Sequence, residues 1–233
     1  MPIVILQSAT ATTPGATTLT ATLGAAPTNN NLLVVLAFTR TDAGMTGPSG
    51  WANDKDVVNA TSADTARIAH KVVAGDAAAV QLTGLSATDA TVMKVYEVSG
   101  LVAASPTDAT NSTGETVGAT SIQTGTTGTL SQTDEIAFAL AAIRTTITSP
   151  SVDSGFTLEG TLSDGTAGIE AGMLPANKIV TVTTALNPTF SWTGAVTAMA
   201  IIVTFKAGAA SVSVPPSPSV PSRRMVSWTR AAW

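Results

Sequence analysis

No cysteine occurs in this sequence. Disulfides and thiolate metal sites are therefore excluded, and the chain must reach stability through its core alone. There is one histidine, His70, and no Gly-x-Ser-x-Gly turn, so Ser-His-Asp and Cys-His triads are excluded as well. Aromatic residues make up 4% of the 233 positions, too few to suggest the platforms of a sugar-cleaving cleft. Charged residues are 11%, against ~25% in ordinary soluble domains. The longest apolar runs, Leu32 to Phe38 and Ala198 to Val203, fall far short of the ~20 residues that span a bilayer. Met1 to Gln7 lack the basic and long apolar regions of a secretory signal, so release from the cell by lysis, as part of a particle, is expected.

Threonine, serine, alanine and glycine stand where charge is missing. Threonine alone occurs about 40 times; its branched Cβ favours strands while its hydroxyl keeps a surface wettable. A neutral surface poor in long flexible side chains suits a rigid extracellular or virion protein. The net charge of −4 is unevenly placed. Arg223, Arg224 and Arg230 lie in the last 11 residues, which hold no acid; without them eight basic groups face fifteen acidic ones, so the body carries −7 and the tail +3. An acidic body lacks the basic face that nucleic acid requires.

An internal repeat organises the chain. Asn31 to Arg40 matches Glu135 to Arg144 at an offset of 104, Ser49-Gly50-Trp51 matches Ser154-Gly155-Phe156 at 105, and Thr91 to Val95 matches Thr197 to Ile201 at 106. Ile136, Phe138, Leu140 and Ala142 alternate with smaller residues at the period of a strand, and Val196 to Phe205 is apolar on both faces. Turn residues separate the runs, and no twelve-residue stretch carries a helical stripe. The expected fold is all-β: a jelly-roll-like antiparallel β-sandwich over residues 1–208, built from related halves of about 1–100 and 101–208. Residues 209–233 form a separate tail, with a Pro-rich spacer and a terminal stretch rich in Arg and Trp.

Strand alternation places His70 inward with Ile68 and Val72, a structural position rather than that of a general base. Asp134, Glu135, Glu159, Asp164 and Glu170 are expected to be solvated turn acids and not a glycosidase pair. Asn53-Asp54-Lys55-Asp56 offers oxygen ligands without the loop pattern of a calcium site. Gly125 to Gly128 does not lead from a strand into a helix and forms no phosphate cradle. No catalytic, cofactor or metal residue is therefore expected. The tail holds the candidate partner-binding residues: Arg223, Arg224, Trp228, Arg230 and Trp233 are of the types that dominate interface energetics.

Asn31 to Phe38, Pro48-Ser49-Gly50-Trp51, His70 to Gly75, Val95 to Gly100 and Pro106 to Ala109 together resemble a group of phage and prophage β-sandwich proteins, over most of residues 30 to 206. His70 departs from the tyrosine usual at its position. The resemblance implies a jelly-roll-like sandwich on virions or in adhesive repeats, and it carries no active site. The expected function is a non-enzymatic virion structural protein, a capsid decoration, cement or head-fibre subunit. Its expected partner is the major capsid or another virion protein, and the chain is expected to form a homo-oligomer. The alternative is a tail-fibre or adhesin module that reads host glycans through loops near Trp51 or Trp192. Neither nucleic acid nor a membrane is an expected partner.

Overall fold

The computed structural model describes residues 2–40, 45–47, 50–59, 63–164 and 170–208, and among these there is no helix. The first half supplies β1 (Val4–Thr13), β2 (Thr18–Thr22), β3 (Leu32–Thr39), β4 (Ala52–Val58), β5 (Thr65–Val72), β6 (Ala79–Thr83) and β7 (Thr91–Ser99). The second supplies β8 (Thr107–Gln123), β9 (Glu135–Ile143), β10 (Thr148–Val152), β11 (Thr157–Leu158), β12 (Leu162–Asp164), β13 (Ala171–Val180) and β14 (Thr189–Lys206). All strand pairings are antiparallel. The protein is thus an all-β sandwich, and each half contributes one of its principal sheets.

The sheets have the same plan. The first runs β1-β7-β3-β5-β4; in the second, β8 flanks β14, followed by β9, β13 and the short β11 and β12. Even the irregularities correspond. β1 bulges at Leu6, where Ile5 faces Val98 but Gln7 faces Glu97, and β8 slips at the equivalent place opposite Val203 and Phe205. The structure corrects one element of the repeat. Phe38 pairs with Val92, and its counterpart Ala142 pairs with Met199, so β7 maps onto β14 at an offset of 107 rather than 106. The difference decides which side chains face which core, because one residue of slip inverts every position in a strand.

The shared core lies between the sheets. Leu32, Val34, Leu36, Phe38, Val92 and Tyr96 from one sheet meet Ile136, Phe138, Leu140, Met199, Ile201 and Phe205 from the other. Tyr96 and Phe205 flank Phe138, with ring centroids 4.8 Å and 6.2 Å from it. Each sheet also buries its outer face. Leu33, Val35, Ala37, Met93 and Val95 lie under the two-stranded β2-β6 sheet, and Ala137, Ala139, Ala141, Ala200 and Ile202 lie under Ile122, Leu130, Leu186, Phe190 and Trp192. That double coverage explains why β3 and β9 are buried at every position and read as continuous apolar runs.

The Ser-Gly-aromatic turns of the two halves have a common cause. Gly50 and Gly155 both adopt positive φ, +84° and +73°, and each lies against the stem of a lysine, Lys71 or Lys178. These lysines are equivalent in the repeat, and the Lys178 ammonium sits 5.8 Å from the centroid of the adjoining Phe156 ring. Gly100 has a different role. With φ of +82°, it passes so close to the chain start that a Cβ there would overlap the Pro2 carbonyl. Gly100→Ala is therefore expected to lower stability by roughly 2–3 kcal/mol, combining left-handed strain with displacement of Pro2. Urea unfolding checks this, and a wild-type midpoint would contradict the close approach.

Candidate functional site

The partner-binding residues expected from the sequence, Arg223, Arg224, Trp228, Arg230 and Trp233, lie outside the described residues, as do Pro48 and Ser49. The last described residues are bonded to the body. The Gly208 amide donates to Gly100 at 2.7 Å, the Ala207 amide donates to Asp134 at 2.9 Å, and Leu101 and Ala207 form an antiparallel bridge. The last described residue is thus held at one corner of the first sheet, next to Pro2.

Polar side chains gather where the two sheets meet, and they do so reciprocally. On one seam His70 of β5 is buried and its Nδ1 lies 2.8 Å from an Asp54 carboxylate oxygen. The other Asp54 oxygen accepts a hydrogen bond from the Thr107 hydroxyl of β8. The His70 ring packs edge-on against Phe205, with centroids 5.5 Å apart. On the other seam the equivalent of His70 is Asn177, whose side-chain amide donates to Glu159 at 2.8 Å. Glu159 is the counterpart of Asp54 by the spacing of the Ser-Gly-aromatic turns. It also pairs with Lys94 at 2.7 Å, and that ammonium stands 5.2 Å from the Tyr96 ring centroid. Burial first, and the Glu159 carboxylate second, push the Tyr96 phenol well above its ordinary pKa.

The ends of β3 and β9 exchange arginines in the same way. Arg144 of the second half pairs with Asp64 of the first, a carboxylate 1% exposed, and with Glu115 at 3.3 Å. Arg40, the counterpart of Arg144, reaches back to the Glu170 carbonyl of the second half at 3.5 Å. Burial raises the Asp64 pKa against the opposing pull of Arg144. These contacts join the halves, and each acid and cation in them already has a partner within the body.

Further polar groups follow the repeat on the outer faces. Glu97, 2% exposed, accepts from Gln7 at 2.6 Å, from the Thr28 amide at 2.8 Å and from Asn31 at 2.5 Å. These hydrogen bonds outweigh its desolvation and hold its pKa below the usual carboxylate value. The counterpart of Asn31 is Glu135, and the counterpart of Glu97 is Thr204, so the second half places its carboxyl on the neighbouring strand. Glu135 is fully buried, and neither of its oxygens has a hydrogen-bond partner of normal geometry. Desolvation, opposed by Thr204 and reinforced by Asp108, raises it to about 7.

One expectation changes here. Glu135, Glu159 and Asp164 are not solvated turn acids: Glu135 and Asp164 are buried and Glu159 is committed to Lys94 and Asn177. The oxygens of Asn53-Asp54-Lys55-Asp56 are engaged, since Asp56 takes a two-point contact from Arg67 at 2.7 and 2.8 Å and Asp54 holds His70. Among the described residues no group of three His, Asp or Glu side chains is placed to hold a metal ion. Trp192 itself is 6% exposed and its indole donates to Ala119 at 3.1 Å. His70 faces inward, as strand alternation predicts.

The fold defines an antiparallel β-sandwich whose halves repeat one sheet plan. No family model, no curated protein and no solved structure matches the chain.

Proposed function

We propose that the chain is a non-enzymatic structural subunit of a phage particle, a capsid decoration, cement or head-fibre component that attaches to the major capsid or another virion protein. The observation that carries this reading is the fixed origin of the tail. Gly208 is bonded to a corner of a sparsely charged, net acidic body, and a Pro-rich spacer with Arg223, Arg224, Trp228, Arg230 and Trp233 follows it. A body with such a tether suits attachment to a larger assembly. Burying one Trp removes ~150–250 Å² from water, roughly 4–6 kcal/mol before ordering costs, so two provide a usable anchor. The neutral, threonine-rich surface and the resemblance over residues 30 to 206 point the same way.

Deletion of residues 209–233 is the direct test. The truncated protein is expected to remain folded by circular dichroism, since the body closes through Ala207 and Gly208. Its occupancy on the parent particle is expected to fall at least about tenfold, and Trp228→Ala with Trp233→Ala should reproduce most of that fall. Arg223→Ala with Arg224→Ala should cost less and depend on salt, because exposed charges are screened within ~8–10 Å. Wild-type occupancy of the truncated protein would move attachment to a face of the sandwich and remove the argument.

A further inference from the structure

Strand edges are the one place where a closed sandwich leaves directional chemistry open. An edge presents a row of backbone amides and carbonyls that only another extended chain satisfies in full. Most edges of this protein are poorly suited to that. β4 carries Asp54, Lys55 and Asp56 and is bulged between Asn53 and Lys55. β8 carries Asp108 and Glu115 and breaks register four times along β14. β10 spans five residues around Pro150, β2 and β6 form a two-stranded sheet of only five residues each, and β11 and β12 span two and three. β1 is the exception. It is ten residues long, has no charged side chain, and pairs with β7 on one side and with no described strand on the other.

We infer that β1 pairs with β1 of a second copy of this chain, joining two sandwiches edge to edge about a two-fold axis. Three observations favour a second copy. The regular part of β1 beyond its bulge, Gln7 to Thr13, is unbroken against β7 and matches its own reverse. Centred on Thr10, antiparallel pairing sets Thr10 against Thr10, Ser8 against Thr12 and Ala9 against Ala11. Hydroxyl pairs then share one face and small apolar pairs the other, and no two like charges meet in a chain of net charge −4. Secondly, the bulged end of β1 exposes Val4 and Leu6, 43% and 50% accessible. The same register brings Leu6 of one copy toward Pro14 of the other and covers both. Thirdly, the strand is rigid before pairing. Gln7 is clamped from its far side by Ala25, donating to its carbonyl and accepting from its amide at 3.1 Å each. A strand that pairs with itself closes as a dimer, whereas a dissimilar edge would propagate.

The test needs no particle, so its failure is separable from that of the attachment reading. At about 50 µM the full chain is expected to sediment at twice its 23.3 kDa mass. Thr10→Lys places two ammonium groups opposite each other at the axis. It should raise the dimer dissociation constant at least about tenfold while leaving circular dichroism unchanged and lowering melting only by the loss of the dimer; Thr10→Val should stay dimeric. Because the chain has no cysteine, single substitutions report proximity cleanly. Opposed strand positions lie ~4.5–5.5 Å apart at Cα, within disulfide range, so oxidised Thr10→Cys should give a covalent dimer and Leu6→Cys should not. A monomeric wild type, a dimeric Thr10→Lys, or equal cross-linking at both positions would overturn the inference.

Discussion

Glu135→Gln is expected to make the protein more stable at pH 8 by on the order of 2–3 kcal/mol and to leave it little changed at pH 4. The cause is a carboxyl group in a place that penalises charge. Glu135 is fully buried on β9, with the Thr204 hydroxyl and the Asp108 carboxylate beside it and Lys206 paired across the strand. Asp108 has Ser131 as a donor through both amide and hydroxyl, and its pKa is lowered despite desolvation. Glu135 lacks such donors and rises from 4.5 to about 7. In the unfolded chain it ionises near its ordinary value, whereas in the fold it keeps its proton until about pH 7. Between those limits the native state binds more protons than the unfolded state, so stability falls as pH rises, and above pH 7 the loss is complete. A shift of two to three units corresponds to roughly 3 kcal/mol. Glutamine keeps the size and shape of the neutral acid and cannot ionise. Urea midpoints at pH 4, 6 and 8 read the difference. Parallel pH dependence in variant and wild type would show that Glu135 is not the group responsible.

Phe138→Ala should cost about 3–5 kcal/mol, and both halves should lose it together. Phe138 is fully buried on β9 between Tyr96 of the first sheet and Phe205 of the second. Removing it opens a cavity in the layer that both sheets share. Against a typical total of ~5–15 kcal/mol, such a loss can leave the fold marginal, so Phe138→Leu, with a smaller cost, serves as the graded second variant. Trp51 reports on the first half and Trp192 on the second. Their unfolding, separated by replacing one tryptophan at a time with Phe, is expected to coincide in both wild type and variant. Separate transitions, or a shift confined to Trp192, would mean that the sheets are stabilised independently.

Much of the architecture was legible because strands reveal themselves by period. Ile136, Phe138 and Leu140 face one core as alternation predicted, while Ile202 is buried on the opposite face of its sheet. The repeat was visible in Leu32 to Phe38 and in the two Ser-Gly-aromatic turns, whose glycines both take a positive φ beside equivalent lysines. Its third segment was misaligned by one residue for a physical reason. β7 and β14 are covered on both sides where they match, and the polar Lys94 and Glu97 of β7 fall on opposite faces, so no alternation marks a face; the shared Thr-x-Met pattern at Thr91 and Thr197 supplied a false anchor. The seam was half legible. His70 was expected inward; Asp54 was not, because it is the extra residue of a bulge between Asn53 and Lys55 that alternation does not reveal. The Lys94–Glu159 pair joins residues 65 positions apart and has no local signal at all.

Assigning one principal sheet to each half has a consequence during synthesis. When Ser99 has left the ribosome the first sheet is complete in sequence, yet the side of it formed by Leu32, Val34, Leu36, Phe38, Val92 and Tyr96 has nothing to rest against. Its cover comes from β9, β13 and β14, the last of which ends roughly a hundred residues later. At ~5–20 residues per second that is an interval of about 5–20 s in which an apolar sheet stands open beside identical nascent chains. That open sheet is the surface through which neighbouring nascent chains can associate wrongly before the second half arrives.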